Sequence, residues 1–278
     1  MRRFAVLMMT LLLCLPALGR CEEETRPLLQ VHQVMNKQAD AYLLRVGDTA
    51  VMIDGGNANG ETGDELMDYL AQAGITRLTA CIVTHYHNDH ACNLNRILDC
   101  YGDSETVIYG PTERLPVQLL PPAAGEYRQM ADGDTVAIGP LRVKCVAPAR
   151  VTGAGQVNAD SLNVLITYGK RRFLFTGDCV PDEAVLRRHR AELAKIDVLK
   201  FPHHGLRPFA VSGEALSQLR PSVILVPGDR GADVRRYAQD NLVAASVYAN
   251  EDGHVVVLTD GETLTVFPQA QPGQFALR

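Results

Sequence analysis

The stretch THYHNDH at residues 84–90 places three of the eight histidines in the chain, and one aspartate, close together. It directly follows the apolar run 78–83, which is typical of a buried strand. A loop after such a strand directs several side chains towards one place. Nitrogen and oxygen donors without a thiolate favour zinc, manganese or iron in an open site over a closed structural zinc site. The candidate ligands in this stretch are His85, His87, Asp89 and His90.

Two further polar signatures also follow apolar strand patterns. Asp178 comes after the run 173–176 and Gly177, and the pair His203-His204 comes after the run 198–201. Alone, an aspartate after glycine is typical of a turn, and a histidine pair in a loop is typical of solvated surface. Three such clusters at strand ends favour one shared metal site.

Composition predicts one globular domain with a large core. The chain has 278 residues, of which 46% are hydrophobic and 21% are charged. The net charge of -5 gives no global attraction to polyanions. The basic clusters at 170–172 and 187–190 are interpreted as a hairpin turn and a solvated helix face.

The N-terminus has the pattern of an export signal. Arg2 and Arg3 precede the apolar run 4–15, and small residues follow before Arg20, which predicts a signal peptide over residues 1–19. A lipoprotein anchored through Cys21 is the alternative, and an uncleaved anchor is another, although the run is shorter than the roughly 20 residues that span a bilayer. Each interpretation places the protein outside the cytoplasm, secreted or at the cell surface, with no transmembrane domain beyond the signal.

The cysteines do not predict a full disulfide framework. Cys81 and Cys145 lie in apolar strand patterns and are interpreted as small buried hydrophobic residues. Cys179 is interpreted as packing at a strand end. A bridge between Cys92 and Cys100 requires that the intervening helix end early.

Strands and helices alternate in two similar halves. A hairpin at 41–53 leads to a helix that begins with the capping box Thr62-x-x-Glu65, and the strand 78–83 then leads to the histidine motif. In the second half, strands at 162–168 and 172–176, a helix at 181–194 and a strand at 196–200 lead to the other signatures. The pattern predicts two mixed sheets packed together with helices outside. Further strands are predicted at 106–109, 135–138, 141–147, 222–226, 255–259 and 263–267, and loops beside the site at 114–127 and 149–159.

On these motifs the chain resembles the metallo-β-lactamase superfamily. The resemblance rests on the motif at 85–90, the upstream stretch 51–56, Thr176-Gly177-Asp178 and His204-Gly205, and it extends over about residues 31–266. It implies a single-domain, four-layer αββα sandwich of the α/β class, with a linker at 20–30, the domain at 31–267 and a tail at 268–278.

Within the superfamily the chain is most similar to the extracytoplasmic hydrolase domain of ComEC-type DNA-uptake proteins. This narrower resemblance rests on residues 160–162, 168–178, 199–205 and 251–261. The sequence departs from both patterns in places. Cys92-Asn93 replaces the usual Gly-Gly, Leu206 replaces a serine, and no Tyr-Gly-His-Pro segment follows.

The resemblance implies a centre with two divalent ions, with zinc favoured over manganese or iron. His85 and His87 would share one ion, Asp89 and His90 would hold the second, and Asp178 would bridge both. By the family pattern His204 completes the second site, although the pair His203-His204 leaves open which imidazole is the ligand. The usual third histidine is missing, because no histidine lies between His90 and Asp178.

Asp160 is the nearest carboxylate able to replace that histidine. Asp54 would accept the free N–H of a ligand imidazole and fix its tautomer. Asp89, Asp178 and His203 are the expected catalytic residues.

The expected function is metal-dependent hydrolysis through an activated water, with a small-molecule or nucleic-acid phosphodiester as substrate and no stable protein partner. One alternative is hydrolysis of a lactone, thioester or β-lactam. The missing histidine argues against lactones and β-lactams as substrates. Another is a catalytically weak binding module with the same fold.

Overall fold

The computed structural model describes residues 26–57, 61–116, 119, 125–180 and 182–275. The predicted signal peptide, with Cys21 as its lipoprotein alternative, lies outside these residues. In the part of the chain that is described, no helix is long and apolar enough to cross a bilayer.

Two mixed sheets form the centre of the molecule. The first has eight strands in the order β15-β14-β1-β2-β3-β4-β5-β6, and the second has seven in the order β13-β12-β11-β10-β9-β8-β7. Their bounds are Leu29–Gln33 (β1), Ala41–Val46 (β2), Thr49–Gly55 (β3), Ala80–Ile82 (β4), Val107–Gly110 (β5), Tyr127–Gln129 (β6), Thr135–Ile138 (β7), Leu141–Ala147 (β8), Asn163–Tyr168 (β9), Arg171–Phe175 (β10), Val198–Lys200 (β11), Val223–Leu225 (β12), Ser246–Tyr248 (β13), Val255–Thr259 (β14) and Thr265–Phe267 (β15).

Helices cover the outer faces of both sheets. Their bounds are Glu61–Gln72 (α1), Asn88–Ala91 (α2), Leu94–Tyr101 (α3), Glu183–Arg188 (α4), Arg190–Leu193 (α5), Gly213–Leu219 (α6) and Gly231–Asp240 (α7). In α1, Leu66, Leu70 and Ala73 are buried on one face, as their spacing predicts, and Gly74 ends the helix at φ +76°. The single helix predicted at 181–194 is instead α4 and α5, which meet at His189.

Three groups of buried side chains fill the spaces between these layers. One lies between the sheets and includes Tyr42, Ile82, Phe173 and Phe175. The second joins the first sheet to α1 and α3, and the third joins the second sheet to α4 through α7. The αββα sandwich in one domain is therefore confirmed. Cys81 and Cys145 are buried within these groups, as predicted.

The strand predictions differ from the structure mainly at the ends of the domain. β1 begins at Leu29, inside the predicted linker, and its backbone pairs with both β2 and β14. The predicted tail is also packed, because Ala270 N–H donates to the His254 carbonyl and Gln30 donates to the Phe275 carbonyl. The prediction omitted β1, β6, β13, α6 and α7.

The polar loops that follow β4, β10 and β11 lie at one edge of the sandwich. β3, β4 and β5 run parallel in the first sheet, and β10, β11, β12 and β13 run parallel in the second. Parallel strands place their carboxyl ends at the same edge of a sheet, so the segments after β4, β10 and β11 meet there. These segments carry the histidine motif, Asp178 and the pair His203-His204.

Candidate metal centre

Local backbone geometry directs the histidine motif towards one point. The motif leaves β4 as an extended segment, and the short helix α2 begins at Asn88 with His87 as its N-terminal flanking residue. Asp89 and His90 therefore lie in a helical turn and project differently from His85 and His87. His203 and His204 lie in a tight turn with φ of 50° and 52°. Side chains at positive φ are uncommon, so this turn is constrained by its surroundings.

The predicted ligands form two groups that share Asp178. Within each group, one donor atom from every residue lies within 4.8 Å of all the others. The larger group consists of Asp89, His90, Asp178 and His204, and the smaller of His85, His87 and Asp178. The structure thus brings together six of the seven residues predicted to bind metal.

Distances between donor atoms fit metal coordination. Two atoms that each lie about 2 Å from one tetrahedral ion are roughly 3.3 Å apart. His90 Nε2 lies 3.1 Å from Asp178 Oδ1, and His204 Nε2 lies 3.6 Å from the same oxygen. His85 Nε2 lies 3.7 Å from Asp178 Oδ2. Asp89 Oδ2 and His204 Nε2 are 2.9 Å apart.

Buried polar atoms without a partner support the same interpretation. Among the described residues, His85 Nε2, His90 Nε2 and Asp178 Oδ1 are buried without a hydrogen-bond partner. Such atoms are rare in folded proteins because each one loses its interaction with water. Their convergence, together with the carboxylates nearby, fits a site for divalent cations. Zinc is the first expectation for this donor set.

Hydrogen bonds fix the tautomers of two ligand imidazoles. His87 Nε2 lies 2.7 Å from the Gln156 carbonyl, which only accepts, so Nε2 carries the proton and Nδ1 keeps its lone pair. His90 Nδ1 lies 2.8 Å from Asp54 Oδ2, so an ionised Asp54 leaves the His90 Nε2 lone pair for a metal. Asp54 is itself fixed, because Thr84 N–H and Oγ1–H each donate to it at 2.7 Å.

Electrostatics within the cluster prepare several side chains for metal binding. Burial and the neighbouring His90 lower the pKa of His85 to about 3, so this imidazole is neutral at neutral pH. Burial would raise the pKa of Asp89, but the hydrogen bond from His204 lowers it to about 2. Asp178 is likewise buried, yet the neighbouring His90 imidazole, 3.1 Å away, holds its pKa well below the ordinary value.

The pKa of His90 shows that the surroundings of this side chain favour a positive charge. Burial alone would lower the pKa of His90, but the carboxylates of Asp40 and Asp54 raise it well above the usual value. Metal binding displaces protons from its ligands, and a divalent ion would supply the positive charge instead.

Asp160 does not join the cluster, contrary to the sequence prediction. Its Oδ1 accepts from the N–H and hydroxyl of Thr152, and its Oδ2 accepts from the N–H groups of Gly153 and Gly155. With both oxygens engaged, Asp160 has the role of a loop anchor. The anchored loop donates nothing to the centre but supplies the Gln156 carbonyl that orients His87.

His203 and His204 differ in their surroundings. His204 is buried, and its Nε2 faces Asp89 and Asp178. The His203 side chain is 35% exposed, and its Nε2 lies 3.9 Å from Asp178 Oδ2. The structure therefore places His204 in the larger group of candidate ligands and His203 at the mouth of the site.

Sequence reasoning missed three residues of the centre. Asp40 lies just before β2, with Oδ1 3.2 Å from His204 Nδ1, and it forms an ion pair with the buried Lys200. Ser161 Oγ accepts from the Asp178 N–H at 3.0 Å and lies 3.4 Å from His85 Nδ1. A lysine inside the apolar strand β11 was a visible signal, because lysine is rarely fully buried without a partner. Asp40 and Ser161 carried no comparable signal.

Comparison with known proteins agrees with this architecture. Residues 35–119 match the family model described as the metallo-beta-lactamase superfamily. The search of curated proteins found no match.

Solved structures with low sequence identity share the fold. The metallo-beta-lactamase fold protein YhfI from Bacillus subtilis is 14% identical, with a TM-score of 0.58 over 87% of this chain and 100% of its own. A putative metal-dependent hydrolase from Parabacteroides distasonis is 17% identical, with a TM-score of 0.54 over 80% of this chain and 92% of its own. A diphosphatase from the PhnP family is 13% identical, with a TM-score of 0.54 over 81% of this chain and 94% of its own.

The matched segment contains Asp54 and the whole motif at 85–90, and the remaining ligands meet that motif at the same edge of the shared fold. Residues 35–119 are therefore similar to the metallo-β-lactamase superfamily, and the chain shares the fold of these solved structures.

Proposed function

We propose that this protein is an exported, metal-dependent hydrolase that cleaves phosphodiesters. The observation that carries the proposal is the pair of ligand groups joined at Asp178, beside a mouth where Asp89 and His203 remain partly exposed. Paired divalent ions suit displacement at phosphorus, because they stabilise both the attacking and the leaving oxygen.

The residues that would hold the ions are those of the two groups. His85, His87 and Asp178 would hold one, and Asp89, His90, Asp178 and His204 the other. When bound, divalent ions supply a water with a pKa lowered towards ~7 and offset the charge that develops on the substrate.

The protein's own side chains supply orientation and proton transfer. Asp89 is ionised at neutral pH, and its side chain is 34% exposed, so it can accept a hydrogen bond from the attacking water and orient it. Asp178 lies between the two groups and fixes the position of that water relative to both. His203 stands at the mouth near Asp178, where its imidazole can donate a proton to the leaving alkoxide.

Three considerations favour phosphodiesters over lactones and β-lactams. The smaller ligand group lacks a third histidine, since no histidine lies between His90 and Asp178. Neither Asp160, which anchors its own loop, nor Ser161, which accepts from the Asp178 N–H, belongs to that group. The resemblance of residues 160–162 and 199–205 to the ComEC-type domain points to the same substrates. The PhnP-family diphosphatase has the same fold, so this fold can support hydrolysis at phosphorus.

A substrate panel tests the proposal. The mature protein, loaded with zinc or manganese, is assayed with bis(p-nitrophenyl) phosphate, single-stranded DNA, a chromogenic cephalosporin and a homoserine lactone. We expect the best specificity with a phosphodiester, and loss of that activity in Asp178→Asn. His254→Gln, which alters a histidine outside the cluster, is the matched control. A cephalosporin or lactone preferred by about tenfold would show that the phosphodiester assignment is wrong.

A fractionation experiment tests export separately. The full chain, expressed in a bacterial host, is expected outside the cytoplasm with its N-terminus at Arg20. Retention of the full-length chain in the cytoplasm would contradict this part of the proposal.

A further inference from the structure

Lys200 is a buried cation beside the metal centre. It is the last residue of β11, and its side chain is 1% exposed. Its ammonium group forms an ion pair with Asp40, donates to the Gly177 carbonyl at 2.5 Å, and lies 3.9 Å from Asp178 Oδ1. Burial of an ammonium group is expensive unless it is paired and hydrogen-bonded, so these contacts hold Lys200 in one place.

Asp40 connects this lysine to a ligand histidine. One carboxylate oxygen contacts Lys200, and the other lies 3.2 Å from His204 Nδ1. The backbone of Asp40 is fixed as well, since its N–H donates to the Asp89 carbonyl and its carbonyl accepts from Gly56 N–H. Asp40 is thus held on three sides, by the lysine, by the histidine motif and by the turn after β3.

The arrangement resembles the contact between Asp54 and His90, which is a 2.8 Å hydrogen bond, whereas Asp40 Oδ1 and His204 Nδ1 are 3.2 Å apart without a hydrogen bond in this structure. In both cases a buried carboxylate lies against Nδ1 of a histidine whose Nε2 faces the shared Asp178. A carboxylate at Nδ1 fixes the proton there and turns the other nitrogen towards the metal.

We propose that Asp40 and Lys200 form a positioning pair for His204, in which Lys200 holds the carboxylate and the carboxylate fixes the tautomer and orientation of the imidazole. The pair acts on the ion held by Asp89, His90, Asp178 and His204, and leaves the ion of His85 and His87 unchanged. This inference rests on the metal centre of the proposed function.

The test replaces both partners together. Asp40→Leu/Lys200→Met removes one negative and one positive charge, so the net charge of the centre stays the same. A drop in metal affinity then reports lost orientation. Replacement of a buried ion pair by apolar residues of similar volume is often neutral for stability, which favours a folded variant.

The matched control is Lys144→Met/Glu192→Leu. This pair, with contacts of 2.8 and 2.7 Å between Lys144 Nζ and the two Glu192 carboxylate oxygens, joins β8 to α5 on the second sheet and contacts no ligand of the centre.

The readouts are metal affinity, by competition with a chromophoric chelator, and the visible absorption spectrum after cobalt substitution. We expect the Asp40/Lys200 double variant to bind the second metal equivalent roughly 10- to 100-fold more weakly, with the first equivalent unchanged and an altered cobalt spectrum. The control should match the parent in both readouts. A folded double variant with the affinities and spectrum of the parent would overturn the proposal.

A single variant keeps the proposal testable if the double variant fails to fold. Asp40→Glu retains the charge but moves the carboxylate by one methylene group, so we expect weaker binding of the second ion and a shifted cobalt spectrum. Parental values in Asp40→Glu would also overturn the positioning role. A parent protein that binds no metal would instead contradict the proposed function, so the two failures are distinguishable.

Discussion

Asp54→Asn is the sharpest test of how this centre is organised. Asp54 accepts three hydrogen bonds, at 2.7 Å from Thr84 N–H, 2.7 Å from Thr84 Oγ1–H and 2.8 Å from His90 Nδ1–H. An asparagine has one oxygen and one NH₂ group, so it cannot accept from both sides. If the oxygen keeps the buried Thr84 N–H, the NH₂ group faces His90 Nδ1.

That contact favours the wrong tautomer of His90. Nδ1 would then accept, and the proton would move to Nε2, the nitrogen that faces Asp178. A protonated Nε2 has no lone pair for a metal. Loss of a carboxylate that orients a ligand histidine commonly lowers metal affinity by about 10- to 100-fold. This factor corresponds to about 1.4–2.7 kcal/mol, similar to the roughly 1.5–3 kcal/mol of one hydrogen bond to a charged group.

Chelator competition measures this loss. The parent and Asp54→Asn are titrated with zinc against a chromophoric chelator, and the weaker equivalent is expected to belong to the group that contains His90. Asp197→Asn is the matched control, because its carboxylate accepts from the Arg172 N–H and from Arg171, both at 2.8 Å, away from the centre. The tautomer argument fails if folded Asp54→Asn binds both equivalents as tightly as the parent.

Three other changes test the roles of Asp160, of the pair His203-His204 and of His32. Asp160→Ala should keep the metal stoichiometry of the parent but destabilise the loop at 152–155, which would be measured as faster proteolysis in that loop. Loss of one metal equivalent in this variant would instead indicate that Asp160 is a metal ligand. His204→Ala should lose an ion in elemental analysis, whereas His203→Ala should retain both ions and lose turnover most for substrates with poor leaving groups; equal metal loss in the two variants would contradict these placements. His32 should make stability depend on pH, because burial lowers its pKa from the usual 6.5 to about 3. Between these values the unfolded chain binds a proton that the folded protein does not, so stability falls as pH drops below about 6.5, by roughly 3 kcal/mol at pH 4.5. Denaturant unfolding of the parent and His32→Gln checks this, and an unchanged pH slope in the variant would count against it.

The sequence by itself determined the fold class and most of the candidate metal ligands. Apolar runs that end in clustered donors carry both kinds of information, because a buried strand needs hydrophobic residues and the loop after it is free to carry function. The spacing of His85, His87, Asp89 and His90 is local, so it can be interpreted without the rest of the molecule. The same holds for the apolar face of α1 and for strands such as β8 and β14, whose predicted bounds match.

Only the tertiary structure decided which distant residues complete the site. Asp40, Lys200 and Ser161 act through contacts between separate strands, and the spacing of residues along the chain does not reveal such contacts. Asp160 shows the converse, because it lies at the right place in the chain while four donors from its own loop occupy its oxygens. Sequence gives the position of a carboxylate along a strand, but the competition between nearby hydrogen-bond donors decides what that carboxylate binds, and this competition exists only after the chain has folded.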